Sequence, residues 1–221
     1  MERHVIIVAG GRGKRFKSEI PKQFIKLLDE CVVMHSIRAF YDCIPEIKVV
    51  LALPEQYFEL WQQLCDDCNF SVPYTLSKGG ETRFQSVKNA LEYVDGEGLI
   101  AVHDGVRPVV SSKLILNAFS EAEKYGNAIP AISVNDSVRI FEYGNYKIAD
   151  RERLKLIQTP QCFKSSILKK AYQQEYIKSF TDDASVVESS GEKIHLIDGD
   201  IDNIKITRDV DLMIAKNLLN Q

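Results

Sequence analysis

No apolar run in these 221 residues approaches the roughly 20 needed to carry a helix across a bilayer. The N-terminus runs almost directly into a β-branched stretch, so no secretory leader is expected. Excess positive charge is also missing. A net charge of −3 argues against a general nucleic-acid binder. Cysteine patterning is poor: the five residues Cys31, Cys43, Cys65, Cys68 and Cys162 are an odd, scattered set, which suits reduced thiols and a cytoplasmic location. Cys65-Asp-Asp-Cys68 has neither a second pair nor flanking histidines, so it reads as ordinary helical thiols rather than a zinc site. Internal repeats, low-complexity segments and linkers are lacking, so the chain forms one domain, or one domain with an appendage. No Ser/His/Asp set and no carboxylate pair stands out.

What is present begins with Val5-Ile6-Ile7-Val8-Ala9-Gly10-Gly11-Arg12-Gly13-Lys14-Arg15-Phe16 and its sequel Pro21-Lys22-Gln23. A β-branched run ending in glycines reads as a buried parallel strand feeding a loop that wraps phosphates. Successive backbone N–H groups in such a loop make an anion nest. The loop does not end in Gly-Lys-Ser/Thr, so it is not a Walker loop, and Phe16 stands where the dinucleotide fingerprint needs its last glycine. Between Arg12 and Lys26 six cations (Arg12, Lys14, Arg15, Lys17, Lys22, Lys26) face one acid, Glu19. A cationic cluster at a glycine loop, on an acidic protein, points to a phosphorylated small molecule.

Further along, apolar runs and amphipathic stretches alternate. Strands are expected at 4–9, 47–53, 74–76, 99–103, 127–134 and 193–197. Helices are expected at 33–43, 55–68, 81–93, 112–125 and 165–176, with two more opening at Thr181 and Thr207 as N-caps. This is the βαβ rhythm of a parallel sheet covered on both faces. It breaks at 137–149, where period-two alternation flanks Glu142-Tyr143-Gly144-Asn145. That is a β-hairpin, and one so polar is expected to project as an arm that grips another subunit.

Three more segments carry chemistry. Lys78-Gly79-Gly80-Glu81-Thr82-Arg83-Phe84-Gln85-Ser86 lies at a strand-to-helix junction, and either hydrogen-bonds a base or ribose or simply caps a helix. His103-Asp104-Gly105-Val106-Arg107-Pro108 ends a buried strand, the edge where ligands sit in open α/β sheets. Asp104 there is either a partner for a magnesium ion carrying nucleotide phosphates or a turn residue; His103 reads as structural. In Asp202-Asn203-Ile204-Lys205-Ile206-Thr207, Lys205 points into a site or into solvent. The neighbouring Asp198-Gly199-Asp200-Ile201-Asp202 lacks the spacing of a calcium loop and reads as a turn.

With Asp150-Arg151, Thr159-Pro160-Gln161 and Thr181-Asp182-Asp183-Ala184-Ser185 added, these segments occur in an order, over nearly the whole chain, that resembles the 2-C-methyl-D-erythritol 4-phosphate cytidylyltransferases. The resemblance implies a Rossmann-like, GT-A-like nucleotidyltransferase fold: a single domain over 1–221, a three-layer sandwich, with a protruding hairpin arm at 135–153. It implies a homodimer built through the arms and magnesium dependence. It implies CMP transfer from CTP to the phosphate of methylerythritol phosphate, with release of pyrophosphate. In the residues it matches, Ala9, Gly10, Gly11 and Gly13 would hold the CTP phosphates. Arg15 and Lys22 would neutralise the α-phosphate, and Lys205 would face the phosphates across the cleft. Gly80, Glu81 and Ser86 would contact cytosine. Asp104 would lie at magnesium and substrate, with Arg107 nearby. Arg151, offered from the partner's arm, and Thr159 would bind the acceptor. Two departures are visible: Ala-Gly-Gly where Ala-Ala-Gly is common, and Ser137 where threonine is common, the latter keeping the hydroxyl for substrate contact.

The chemistry agrees. A phosphate monoester, with a second pKa near about 6, is largely dianionic at neutral pH and needs no general base. Catalysis then reduces to positioning and cationic stabilisation. Three alternatives remain: a ribitol 5-phosphate cytidylyltransferase, a sugar-nucleotide glycosyltransferase, and a nucleotide-binding module without turnover. The second usually wants an Asp-x-Asp pair, and His103-Asp104-Gly105 supplies one aspartate; the third has no use for three converging cations.

Overall fold

The computed structural model describes residues 1–11 and 20–220. Two of the expected site residues, Gly13 and Arg15, lie outside them. The first half alternates as the sequence suggests. Strand β1 (Glu2–Val8) is followed by a minimal hairpin, β2 (Lys26–Leu27) and β3 (Glu30–Cys31). Then come α1 (Val32–Cys43), β4 (Lys48–Leu53), α2 (Phe58–Asp67), β5 (Thr75–Lys78), α3 (Arg83–Leu91), β6 (Gly98–Asp104), α4 (Ser112–Tyr125) and β7 (Asn127–Ser133). The second half holds β8 (Arg139–Glu142), β9 (Asn145–Ile148), β10 (Lys155–Ile157), β11 (Gln161–Lys164), α5 (Ser165–Ala171), α6 (Asp183–Ser189), β12 (Leu196–Asp198) and α7 (Asp209–Leu219).

Eight strands form one sheet in the order β10-β7-β11-β6-β1-β4-β5, with β12 on β7. Side chains of β1 alternate between the two faces, as strand geometry requires. Val5 and Ile7 pack toward α1, α2 and α4, while Ile6 packs toward α3, α5 and α6. All three are fully buried, each adding about 1.5–3 kcal/mol of apolar burial. The result is the expected three-layer sandwich. A third cluster, Leu27, Val32, Val106, Ile206 and Ala215, seats α7 beside the C-terminal end of β6.

The sheet is mixed, not purely parallel. β11 runs antiparallel between β6 and β7, and β10 runs antiparallel to β7. These short strands escape an apolar-periodicity reading because each holds only two apolar residues, bounded by polar ones. Gln161 is 1 % exposed, yet it is satisfied by Asp182 (Nε2 to Oδ2, 2.9 Å) and by the Ala184 N–H (2.8 Å). Two helix starts also shift. Asp182, not Thr181, caps α6, accepting from Ser185 N at 2.9 Å. The last helix starts at Asp209, and Asp211 collects the N–H groups of Thr207 and Arg208. The stretch expected to be helical over 55–68 opens as a 3-10 turn at Glu55–Tyr57, and the helix at 165–176 stops at Ala171.

β8 and β9 pair only with each other, and every residue in them is exposed. Their two-residue turn, Tyr143-Gly144, has φ of 50° and 83°, the positive values a tight hairpin of this twist needs. The hairpin therefore stands off the sandwich.

Candidate active site

Chain order around β1 creates the site. The chain steps from β1 outward to β4 and β5, then returns through α3 to β6 on the other side of β1. A crevice opens at such a switch point, beyond the carboxyl ends of the strands. The backbones beyond it stay tied to the sheet: Ala9 N donates to Ala52 O (2.9 Å) and Gly105 N to Val8 O (2.9 Å).

A cleft of about 410 Å³ fills this position. Nine expected site residues line it: Ala9, Gly10, Gly11, Lys22, Gly80, Glu81, Ser86, Asp104 and Lys205. The two loops nearly touch, because a side chain on Gly10 would meet Ser86 Oγ at 3.5 Å. Ser86 Oγ accepts from Gly80 N (3.0 Å) and donates to Thr82 O (3.0 Å), which folds the second loop over the start of α3. Gly80 tolerates no larger residue here: a Cβ would sit 2.2 Å from Gln85 Cγ. Thr82 caps α3 by accepting from Gln85 N at 3.1 Å and also lines the cleft. The helix cap is therefore present, on a loop that also lines the cleft.

Across the cleft mouth, Lys22 Nζ donates to Ile206 O at 2.8 Å, and Ile206 N donates to Val106 O at 2.9 Å. The lysine loop, the Lys205 segment and the end of β6 thus hold one another. The buried Gln23 fastens the first loop, its Nε2 donating to Ala9 O at 2.8 Å.

Asp104 is the electrostatic centre. Lys205 Nζ lies 2.7 Å from Oδ2, Arg83 Nε 3.5 Å from Oδ1, and Arg107 Nε 3.8 Å from Oδ2. Burial pushes the carboxyl up, but Arg83, Lys205 and Arg107 outweigh it and hold it well below the usual carboxylate range. It is an anion at any physiological pH. Its backbone N–H donates to Thr159 Oγ1 (3.0 Å), whose hydroxyl reaches His103 Nδ1 (3.2 Å); His103 Nε2 faces Arg107 O (3.1 Å). A carbonyl can only accept, so Nε2 carries the proton and Nδ1 accepts from Thr159. Burial lowers His103 to about 4, which keeps that neutral tautomer at neutral pH.

Four expected substrate residues do not line the cleft. Thr159 is 4 % exposed and occupied with Asp104 and His103. Arg107 donates to Asn203 O at 2.7 Å and backs Asp104. Ser137 is exposed beside β8, and Arg151 lies in a separate shallow pocket with Ser133, Asn135 and Glu152, its guanidinium donating to Asn135 O at 2.7 Å. Conversely, Gln23, Gln56, Tyr57, Thr82 and Arg83 line the cleft without having been singled out. Only long-range contacts would have flagged Gln23 and Arg83.

Among the described residues no three His, Cys, Asp or Glu side chains cluster as a metal cage. The donor a magnesium ion would meet here is the Asp104 carboxylate, whose oxygens also face Lys205 and Arg83; magnesium is commonly held by one or two carboxylates while substrate phosphates and water supply its remaining ligands. Among the described residues no helix is long and apolar enough to cross a membrane.

The sequence model of the 2-C-methyl-D-erythritol 4-phosphate cytidylyltransferases matches residues 3–221. The enzyme of that name from Phocaeicola vulgatus is 46 % identical over 219 residues, covering 99 % of this chain and 100 % of its own. That from Clostridium perfringens is 31 % identical, covering 97 % of each. The crystal structure of the Thermus thermophilus enzyme superposes with a TM-score of 0.80 at 29 % identity over the full length of both chains. The bifunctional IspDF of Campylobacter jejuni superposes with a TM-score of 0.83 at 29 % identity, over 97 % of this chain and 54 % of that one. A Rossmann-like sandwich with a cation-ringed aspartate at its switch point thus occurs in a chain that belongs to the 2-C-methyl-D-erythritol 4-phosphate cytidylyltransferase family.

Proposed function

We propose that the protein transfers the cytidylyl group of CTP to the phosphate of 2-C-methyl-D-erythritol 4-phosphate. A phosphate oxygen of the acceptor attacks the α-phosphorus, the bond to the β-phosphate bridging oxygen breaks, and pyrophosphate leaves with that electron pair. The carrying observation is Asp104, buried at the switch point and faced by Lys205, with Lys22 tied to the neighbouring Ile206 carbonyl. Cations at this place suit a reaction that brings two polyanions together and asks for no proton transfer. The glycine loop (Ala9, Gly10, Gly11) takes the triphosphate, Gly80, Glu81 and Ser86 take the base, and Lys22 and Lys205 neutralise the phosphates. Asp104 is the residue that would hold magnesium, which when bound supplies charge neutralisation to the phosphates.

The acceptor side is completed by a second copy of the chain. Ser137 and Arg151 lie at the root of the hairpin, outside this chain's own cleft, and the hairpin exposes Phe141, Tyr146 and Ile148. Apolar side chains exposed on an otherwise polar arm are best covered by its symmetric mate, which would carry Arg151 to the partner's cleft.

Pyrophosphate release from CTP and magnesium, with each acceptor in turn, tests the reading. Turnover is expected with methylerythritol phosphate. A preference for ribitol 5-phosphate would reassign the acceptor, and no release with either would leave a binding module.

A further inference from the structure

One guanidinium in the cleft wall touches two carboxylates. Arg83 opens α3, and its terminal nitrogens donate to Asp183 Oδ1 (2.8 Å) and Oδ2 (2.7 Å). Its Nε lies 3.5 Å from Asp104 Oδ1. Asp183 sits in the first turn of α6, is fully buried, and takes a further hydrogen bond from Tyr172 Oη (2.6 Å), just beyond α5. Three parts of the chain therefore meet here: the start of α3, the end of β6 and the α5–α6 region.

A stability role alone accounts poorly for this arrangement. A buried ion pair roughly breaks even against well-packed apolar residues, so it is weak grounds for inferring stabilisation. What the arrangement does supply is orientation. The fork side of the guanidinium is fully committed to Asp183, and its third N–H edge is left facing Asp104. Lysine could not do this, since one ammonium lacks the planar fork that spans both acids. Asp104 is then flanked by Arg83 on Oδ1 and by Lys205 on Oδ2, with Arg107 behind, itself tied to Asn203 O. Asp183 does not line the cleft.

We propose that Arg83 is a positioning residue: the Asp183–Tyr172 seat fixes its guanidinium, and the guanidinium fixes the Asp104 carboxylate in the orientation that meets Lys205. The α5–α6 side of the molecule thereby sets the geometry at the nucleotide end of the cleft. Its catalytic consequence rests on the cytidylyl-transfer reading; its geometric content does not.

The test uses the full-length protein and three variants. Arg83→Lys and Asp183→Asn should each lower kcat about 10- to 100-fold, the range for residues that orient a ligating carboxylate, while KM for CTP stays within about threefold. Arg83→Gln combined with Asp183→Asn keeps a neutral hydrogen-bonded pair in the same space, so the fold survives even if Asp183→Asn alone leaves the arginine stranded. That double variant should lose no more kcat than the worse single change, because all three remove one interaction. A purely structural role predicts the reverse: lower melting temperature in the singles, and restored kcat in the neutral pair. Independently of activity, a crystal structure of the double variant should show Asp104 turned away from Lys205. Persistence of the 2.7 Å contact, or wild-type kcat in the neutral pair, overturns the proposal. Failure of the parent protein to turn over CTP bears on the assigned reaction instead, and the crystallographic comparison still decides the positioning role.

Discussion

The cleft and the hairpin arm depart from the ordinary rule of burial in opposite directions. At the cleft, charge is buried: Asp104 is 8 % exposed and is met by Arg83, Arg107 and Lys205. In the arm, apolar surface is exposed: Ile148 is 80 % and Tyr146 68 % accessible. Buried polar groups and exposed apolar patches are the informative exceptions in a folded chain. Between the two lies the sandwich, where the rule is kept and where the stability resides. The contrast teaches that the two exceptions stand apart from the core that stabilises the subunit, and on the proposed reading one serves the phosphates and the other a second subunit.

The sharpest way to break that division is to compare phenylalanines. Phe163 is fully buried in β11 and Phe141 is 61 % exposed in β8. Phe163→Ala should cost about 3–5 kcal/mol in a urea titration, through lost burial and the cavity left behind. A cost near 1 kcal/mol would mean that the antiparallel insertion of β11 is not the keystone its position suggests.

A second effect, nearly as large, separates the buried histidine from the solvent-facing charges. His103 titrates near 6.5 in the unfolded chain but at about 4 when folded, because burial disfavours the imidazolium. Between those values the unfolded state binds more protons, so stability rises with pH across the window and is level above it. The full difference is worth about 3 kcal/mol at the acid end. Protonation of Nδ1 would also remove the acceptor used by Thr159, the residue that holds the Asp104 N–H. Unfolding free energies measured without added metal from pH 4 to 7 should show this slope, and His103→Gln should flatten most of it. His4, also buried and lowered, accounts for a remainder.

At the cleft itself, Lys22→Ala should lower kcat by on the order of 10² or more, equivalent to about 2.7 kcal/mol of barrier, while loss of the hydrogen bond to Ile206 O costs only about 1 kcal/mol of stability. An active Lys22→Ala protein would remove this lysine from the phosphate chemistry and leave it a structural role that includes the tie to Ile206 O.

How much of this was legible beforehand follows from the range of the interactions. β1 and Asp104 at the end of β6 could be read because the signal is local: a β-branched or apolar run, then a residue that suits a ligand-facing edge. The hairpin could be read because alternation and a turn pair are local too. Arg83 was visible only as part of a loop, since its partner Asp183 lies 100 residues on. β11 escapes a sequence reading because only Cys162 and Phe163 are apolar, between Gln161 and Lys164, and nothing in the sequence announces that the start of α6 will satisfy the Gln161 amide. Thr181 and Asp182 both suit an N-cap, so sequence alone could not choose between neighbours.

The smallest change in subunit stability should come from the arm. Phe141→Ser should alter the unfolding free energy of the dissociated subunit by no more than about 0.5 kcal/mol, since this side chain packs on Tyr146 within the arm and, among the described residues, joins neither main core cluster. The same change should shift the sedimentation of the native protein from dimer to monomer. If Phe141→Ser destabilises the subunit as Phe163→Ala does, the arm is packed on its own domain and the contrast collapses. Mixing subunits sharpens the point further. Lys22→Ala removes a cleft and Arg151→Ala removes an arm, and each alone should be nearly inactive. Random pairing makes half the dimers mixed, and in those one of two sites has both parts intact if Arg151 acts across the interface. About a quarter of the parent activity should then return on mixing. No recovery would place Arg151 in its own subunit's reaction and leave the exposed arm with an occupant other than a second copy.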